Sequence, residues 1–569
     1  MRILFLAQAF NSLTQRLHAE LTAAGHEVSI EFDIADSVAE EAVALFRPDL
    51  IVAPYLRRAI PESIWKRHVC LVVHPGVIGD RGPSALDWAI QDSEAEWGVT
   101  VLQAEAAMDA GPVWAAETFP MRRARKAGIY RNEVTEAACR AVRRAIERFA
   151  GGERPVALTE AGGRGRLRPP IRQDDRRIDW ARDDAATVLR KIDAADGSPG
   201  VADTLFGLPC RLYDACPEAE LRGGRPGDLL GRRETALLRA TVDGAVWIGH
   251  VRRDDAEPAI KLPATLAFAR ESAALPELPL PGWWAQSRAT WQDIAYEEAA
   301  GVGVLAFEFY NGAMGTAECE RLHAAYDWAR TRPTRVIVLA GGTDFWSNGI
   351  HLNRIEAADS PADESWGNIN AIDDLAEAII TTDSHLTVAA LRGSAGAGGA
   401  FLARAADRVW ARDGVLLNPH YRNMGNLYGS EYWTYLLPPR VGTEGAGAML
   451  RNRLPLTAKA ALAAGFIDAC LAGNPQAFRV DVMRRATELA QSADFAAQLA
   501  AKRARRASDE ATKPLARYRD EELAMMRRNF YGFDPSYHVA RYHFVRKSPP
   551  SWTPRHLARH RDPQRPPPE

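Results

Sequence analysis

The sequence predicts a multidomain α/β protein, on three observations. Short apolar runs alternate with amphipathic stretches near the N-terminus, the same alternation resumes after residue 300, and short alternating strands lie between the two regions. A chain of 569 residues, 47% hydrophobic and 25% charged, can bury several cores and is expected to divide into three or four domains. The formal net charge of −2 creates no whole-molecule field for nucleic acid or an anionic membrane, so neither is an expected partner. The first residues enter a strand without a cleavage-type leader and no apolar run is long enough to span a bilayer, which points to the cytoplasm. Cys70, Cys139, Cys210, Cys216, Cys319 and Cys470 lack CxxC or Cys/His spacing, so structural thiols are expected and no metal.

Residues 2–6 read as a buried strand, 12–24 as a helix closed by Gly25, and 27–31 and 49–53 as further strands. That β-α-β order implies a mostly parallel, Rossmann-like sheet over residues 1–160. Its first turn, residues 7–11, lacks GxGxxG, so a nicotinamide dinucleotide is not expected. Residues 161–274 carry a helix at 184–194, a Gly/Pro break at 196–200 and strands at 210–213, 237–242 and 245–248, spaced as in a small OB-like β-barrel. Three prolines in residues 275–282 predict an extended connector, with the linker running to 299. A second α/β domain follows over 300–500, with strands at 302–309, 335–339 and 386–390 and helices at 317–330 and 371–382. Residues 501–569 read as a charged helical stretch and a frayed Pro/Arg-rich tail.

Two groups of residues carry chemistry. His74, at the end of the apolar run 70–73, and Asp109 form a pair suited to stabilising an oxyanion and moving a proton, although on spacing alone two structural turns explain them as well. Downstream, residues 347–350 and the Gly-rich run 393–399 offer backbone N–H groups of Ile350 and Gly398 as an oxyanion hole, with close strand-to-helix packing as the competing reading.

Residues 49–55 with Ile60 and Pro61, then His74-Pro75-Gly76, Arg81-Gly82-Pro83, residues 98–103 and Met108-Asp109, resemble 10-formyltetrahydrofolate-dependent formyltransferases in order and spacing. Residues 171–180, 190–200 and 225–228 resemble the barrel-bearing C-terminal domain of methionyl-tRNA formyltransferase. The family Asn two residues before the His is Val72 here, and Gln8, Asn11 and Gln15 are the candidate substitutes. Residues 335–339, 346–352, 386–393, 398–403, 406–411 and 456–468 resemble the crotonase (enoyl-CoA hydratase/isomerase) family, with Phe401 and His420 at the two hydratase glutamate positions. Hydration of an enoyl-CoA is therefore not expected. Tyr421 and Glu431, in the segment 417–431 facing the hole, are the acid/base candidates.

The fusion of these halves resembles the HypX/HoxX family of nickel–iron hydrogenase maturation proteins over essentially the whole chain. The resemblance implies 10-formyltetrahydrofolate and coenzyme A as cosubstrates, formyl transfer to CoA assisted by His74 and Asp109, and decarbonylation of formyl-CoA at Ile350, Gly398, Glu431 and Tyr421. The CO would supply the hydrogenase carbonyl ligand under aerobic conditions. Gln15, Arg131, Ser198, Asn311 and Arg541 are candidate cofactor contacts, with Arg422 and Arg546 as further phosphate candidates. Hydrogenase maturation proteins or the large-subunit precursor are expected partners, and an enclosed path is expected between the two halves. Two other readings stay open: an amine formyltransferase with a degenerate CoA-binding domain, and a non-catalytic folate- and CoA-binding assembly factor.

Overall fold

Six strands form the N-terminal sheet: β1 (Arg2–Ala7), β2 (Glu27–Phe32), β3 (Leu50–Ala53), β4 (Cys70–His74), β5 (Glu96–Gln103) and β6 (Val113–Pro120). Their order is β2-β1-β3-β4-β5-β6, parallel through β4 and antiparallel beyond it. β1 and β3 are buried almost throughout, which explains their unbroken apolar runs. Asn11 starts the helix Ser12–Ala23 by accepting the Thr14 N–H, and Gly25, in the left-handed region, turns the chain into β2. The computed structural model describes residues 1–284 and 289–562. It divides the chain into two compact units, one of Met1–Ala259, Pro263–Pro276 and Pro549–Glu569, the other of Ile260–Leu262 and Glu277–Ser548.

The first unit continues into an OB-like barrel domain whose antiparallel path runs Val201–Leu205, Leu208–Glu218, Ala245–Arg253, Ala236–Ala240, Leu229–Arg233. Helix Ala185–Ala195, capped by Asp184, places Val188 and Ile192 in its core with Leu212, Ile248 and Phe268.

The second unit holds a sheet ordered Ile294–Ala299, Val302–Phe307, Val336–Ala340, Leu386–Leu391, Arg408–Arg412, Ala469–Leu471, parallel except for its first pair. A smaller sheet joins Phe345–Ser347, Ser394–Gly396, Leu416–Asn418 and Leu456–Thr457. Three expectations change here. Residues 294–299 are a strand rather than linker, because Ile294 and Tyr296 alternate inward while Glu297 and Glu298 mask the pattern; residues 285–288 of the expected linker lie outside the described residues. The helix expected at 371–382 begins ten residues earlier, at Pro361, where Asp363 and Glu364 fill the first turn and Ser365, Asn368 and Ile369 face the core.

The tail is the third. Residues 549–562 are docked on β2: Leu557 O accepts the Ile30 N–H at 3.0 Å, and Thr553 Oγ1 accepts that of Phe32 at 2.8 Å. Buried Glu31 receives Thr553, His560 (2.8 Å) and Arg561 (2.6 Å), and these donors hold its carboxyl below the ordinary range. The segment covers a sheet edge, a contact that local composition does not reveal. Residues 563–569 lie outside the described residues.

Candidate active sites

In the first unit, β4 ends at His74, whose ring is buried between two carboxylates. Nε2 lies 2.9 Å from Asp80 Oδ2 and Nδ1 lies 3.5 Å from Asp109 Oδ1. Only the first is a hydrogen bond. Asp80 is fully buried, and its Oδ1 stands 3.3 Å from Arg168 Nε; Arg168 reaches on to Asp92 (2.7 Å) and Glu94 (3.4 Å) and lies against the Trp97 ring. Asp109 has φ 55° and accepts the Gly82 N–H at 3.2 Å. Gly76 has a steric reason: a Cβ there would sit 2.5 Å from His74 Nε2 and 2.6 Å from Asp80 Oδ2. Sequence reasoning brought together His74 and Asp109 and missed Asp80 and Arg168. The Gly79-Asp80 step in the loop after His74 was the available signal, whereas Arg168 lies in a segment with no periodicity.

Asn11, one of the candidate substitutes for the missing family Asn, is tied to its own helix start and to Tyr130. Its Oδ1 accepts from Thr14 N and Oγ1, both at 3.0 Å, and its Nδ2 donates to Tyr130 Oη at 3.1 Å. Gln15 donates to Phe10 O at 2.9 Å. The Asn11–Tyr130 bond sets the start of the helix bearing Gln15 against the wide turn Tyr130–Val134 that bears Arg131. Ser198 belongs to a loop packed on the preceding segment, its carbonyl accepting from Lys126 Nζ at 2.9 Å and Gly197 facing Ala127. Three of the expected cofactor contacts thus gather around one stretch of chain.

In the second unit, Ile350 follows the strand Phe345–Ser347 and Gly398 opens the helix Gly398–Arg404. A Cβ on Gly349 would lie 3.2 Å from Gly398 N, so the two loops abut. Among the described residues, neither the Ile350 nor the Gly398 N–H donates to a backbone carbonyl outside regular elements. Asn348 fixes the first loop by donating to Asn311 O at 2.8 Å, which places Asn311, φ 56°, as its support. Glu431 stands over Gly398: a Cβ there would come 2.0 Å from Glu431 Oε1. Oε2 accepts the Tyr421 hydroxyl at 2.5 Å, which leaves Oε1 as the carboxylate atom facing the loops. Phe401 stacks on Tyr421 at 5.3 Å, and Gly429 leaves room for that ring. His420 is buried beside Tyr421 in sequence.

Two further acids hold Glu431 in place. Glu431 and Tyr432 both have φ near 60°, a pair of left-handed non-glycine residues that needs support. Asp373 Oδ1 accepts from Glu431 N (2.8 Å) and Ser430 Oγ, while Glu522 accepts from Tyr432 N (2.9 Å) and Thr434 N (2.7 Å). Burial, reinforced by the neighbouring Asp373 charge, raises the Glu431 carboxyl well above the ordinary range; burial likewise raises Asp373 and Glu522. Burial pushes the Tyr421 phenol up too, so it stays a donor. Asp373 and Glu522 sit on helices far away in sequence, and nothing local pointed to them. Arg541 is buried with its Nε on Glu356 at 2.7 Å, and Arg546 shares that carboxylate; Arg422 is exposed.

Three family models match successive stretches of the chain. The formyl transferase model matches residues 31–146, the formyl transferase C-terminal domain model 170–260, and the enoyl-CoA hydratase/isomerase model 302–555. Hydrogenase maturation factor HoxX of Bradyrhizobium diazoefficiens is 56% identical over 562 residues, covering 99% of this chain and 97% of that protein. The chain belongs to the HypX/HoxX family of hydrogenase maturation factors. HypX from Aquifex aeolicus, solved in complex with tetrahydrofolic acid, superimposes with TM-score 0.96 and 48% identity over 99% of both chains. The methionyl-tRNA formyltransferase of Roseiflexus castenholzii is 30% identical over 254 residues, 42% of this chain and 76% of that protein. The HypX/HoxX architecture therefore joins a formyltransferase half and a crotonase-like half, and the family models support enzymatic activity. No helix among the described residues is long and apolar enough to cross a membrane.

Proposed function

We propose that the protein transfers a formyl group from 10-formyltetrahydrofolate to the thiol of coenzyme A and then cleaves formyl-CoA to CO and CoA, supplying the carbonyl ligand of a nickel–iron hydrogenase. At the first site His74 accepts the proton of the attacking thiol and Asp109 balances the imidazolium that results. Gln15, Arg131 and Ser198 are the ligand contacts around Lys126–Val134. Aquifex HypX was solved with tetrahydrofolic acid, which supports a folate ligand, and the formyl transferase model over residues 31–146 supports its placement in this half.

At the second site the thioester carbonyl oxygen accepts from the Ile350 and Gly398 N–H groups. Glu431 Oε1 removes the formyl proton, the C–H electron pair becomes the carbon lone pair of CO, and the C–S pair leaves with sulfur. The thiolate takes a proton from Tyr421 Oη, which regains one from Glu431 through their 2.5 Å hydrogen bond. The observation that carries this reading is the placement of Glu431 over Gly398 in a site whose hydratase glutamate positions hold Phe401 and His420. A base and an acid remain, with no carboxylate pair to activate water. Asn311 supports the oxyanion loop through Asn348, and Arg541 acts through Glu356 on the helix Leu352–Ala357 that follows Ile350.

Incubating the protein with 10-formyltetrahydrofolate and CoA, with a haem protein reporting CO, tests the proposal. CO that requires both substrates supports it. Formylated amine would favour an amine formyltransferase, and binding of both ligands without product would favour an assembly factor.

A further inference from the structure

We propose that Asp80 is the positioning residue of the first site: it holds His74 as the Nε2–H tautomer and so makes Nδ1 the basic nitrogen. The inference rests on His74 acting as the base in formyl transfer. A neutral imidazole carries one N–H. Asp80 Oδ2, at 2.9 Å, is within hydrogen-bond reach of Nε2, whereas Asp109 Oδ1, at 3.5 Å, is beyond it from Nδ1. The proton therefore sits on Nε2, and Nδ1 presents its lone pair on the side of Asp109. Asp109 is the more exposed acid, tied by the Gly82 N–H; Asp80 is sealed from water and braced by Arg168. The arrangement divides two duties between two acids, one fixing the ring and the other facing the proton that arrives on Nδ1, as in a hydrolase triad whose buried aspartate sets the histidine tautomer.

Arg168 makes the division testable. In Asp80→Asn the guanidinium, which can only donate, draws the amide oxygen to its side and turns the amide NH2 toward His74 Nε2. Nε2 must then accept, the ring proton moves to Nδ1, and the base is lost. Asp109→Asn leaves the Asp80 hydrogen bond and the tautomer unchanged.

Nitrogen NMR of the full-length protein with labelled histidine, the His74 signals assigned by difference from His74→Gln, reads the tautomer directly. The expected result is Nε2–H in wild type and Asp109→Asn and Nδ1–H in Asp80→Asn, with the last losing formyl transfer by about a thousandfold or more while tetrahydrofolate affinity stays within about threefold. Nδ1–H in the wild type overturns the proposal without need of any variant, as does an unchanged transfer rate in a folded Asp80→Asn protein. Absence of formyl transfer by the wild type, with Nε2–H observed, would instead refute the assigned reaction and leave the role of Asp80 on the ring standing.

Discussion

Replacing Glu431 by Gln removes one property of the second site and keeps the rest. Gln has nearly the same volume, its amide oxygen can accept the Tyr421 hydroxyl now held at 2.5 Å, and the Asp373 bond to the residue 431 N–H is a backbone contact that survives. What disappears is a carboxylate able to take the formyl proton. A positioned general base contributes roughly a hundredfold to ten-thousandfold in rate, and at about 1.4 kcal/mol per decade the barrier rises by ~3–5 kcal/mol. The variant avoids burying a charge beside Asp373, so its unfolding midpoint stays at or slightly above that of the wild type. The assay follows tetrahydrofolate release and CO in the same reaction: CO falls by the stated factor while the first turnover of tetrahydrofolate release is unchanged. CO at the wild-type rate, or equal loss of both signals in a folded protein, refutes the reasoning.

Gly76→Ala places a methyl between His74 Nε2 and Asp80 Oδ2, so steady-state formyl transfer should drop at least a hundredfold while CO release from supplied formyl-CoA persists. The pH profile of CO release should climb above the ordinary carboxylate range, because burial raises Glu431 and only its ionised form is a base; single-turnover rates on formyl-CoA measure it, and a flat profile from weakly acidic pH upward contradicts it. For stability the same raised groups act in the opposite sense. The protonated forms of Glu431 and Glu522 favour the folded second unit at low pH, and that contribution is lost as pH rises through their folded values, so Glu431→Gln should flatten this slope in chemical denaturation. Glu31→Gln should destabilise the first unit by about 3 kcal/mol at neutral pH, because His560 and Arg561 lose their carboxylate. Since Glu31 is depressed when folded, the difference should shrink as pH falls through the ordinary carboxylate range, and a constant difference would contradict the ion-pair origin.

Local pattern carried much of the fold. The buried strands β1, β3 and β4 announce themselves as apolar runs, and Gly25 and Asp184 close and open helices as their residue types predict. The expectations for His74, Asp109, Ile350 and Gly398 came from motifs that run in order along the chain, and those for Tyr421 and Glu431 from the polar groups of the segment 417–431. Arg168, Asp373 and Glu522 give no local signal, since each acts on a residue reached only through tertiary packing and lies in a stretch whose periodicity reports helix or loop and nothing more. Asp80, by contrast, stands six residues after His74 in a loop that the pair His74 and Asp109 drew attention away from. The docking of residues 549–562 on β2 escaped for the same reason. Proline and arginine content describes local chain preference, while the edge strand that orders this segment lies more than 500 residues away.

The most direct test uses a formyl donor labelled on its transferable carbon, with CoA supplied or withheld, and follows the label by mass spectrometry of the headspace and of the thioester pool. The account predicts labelled CO in proportion to tetrahydrofolate formed, dependent on CoA, with labelled formyl-CoA accumulating in Glu431→Gln. Labelled formate in place of CO, or CO that forms without CoA, would contradict it.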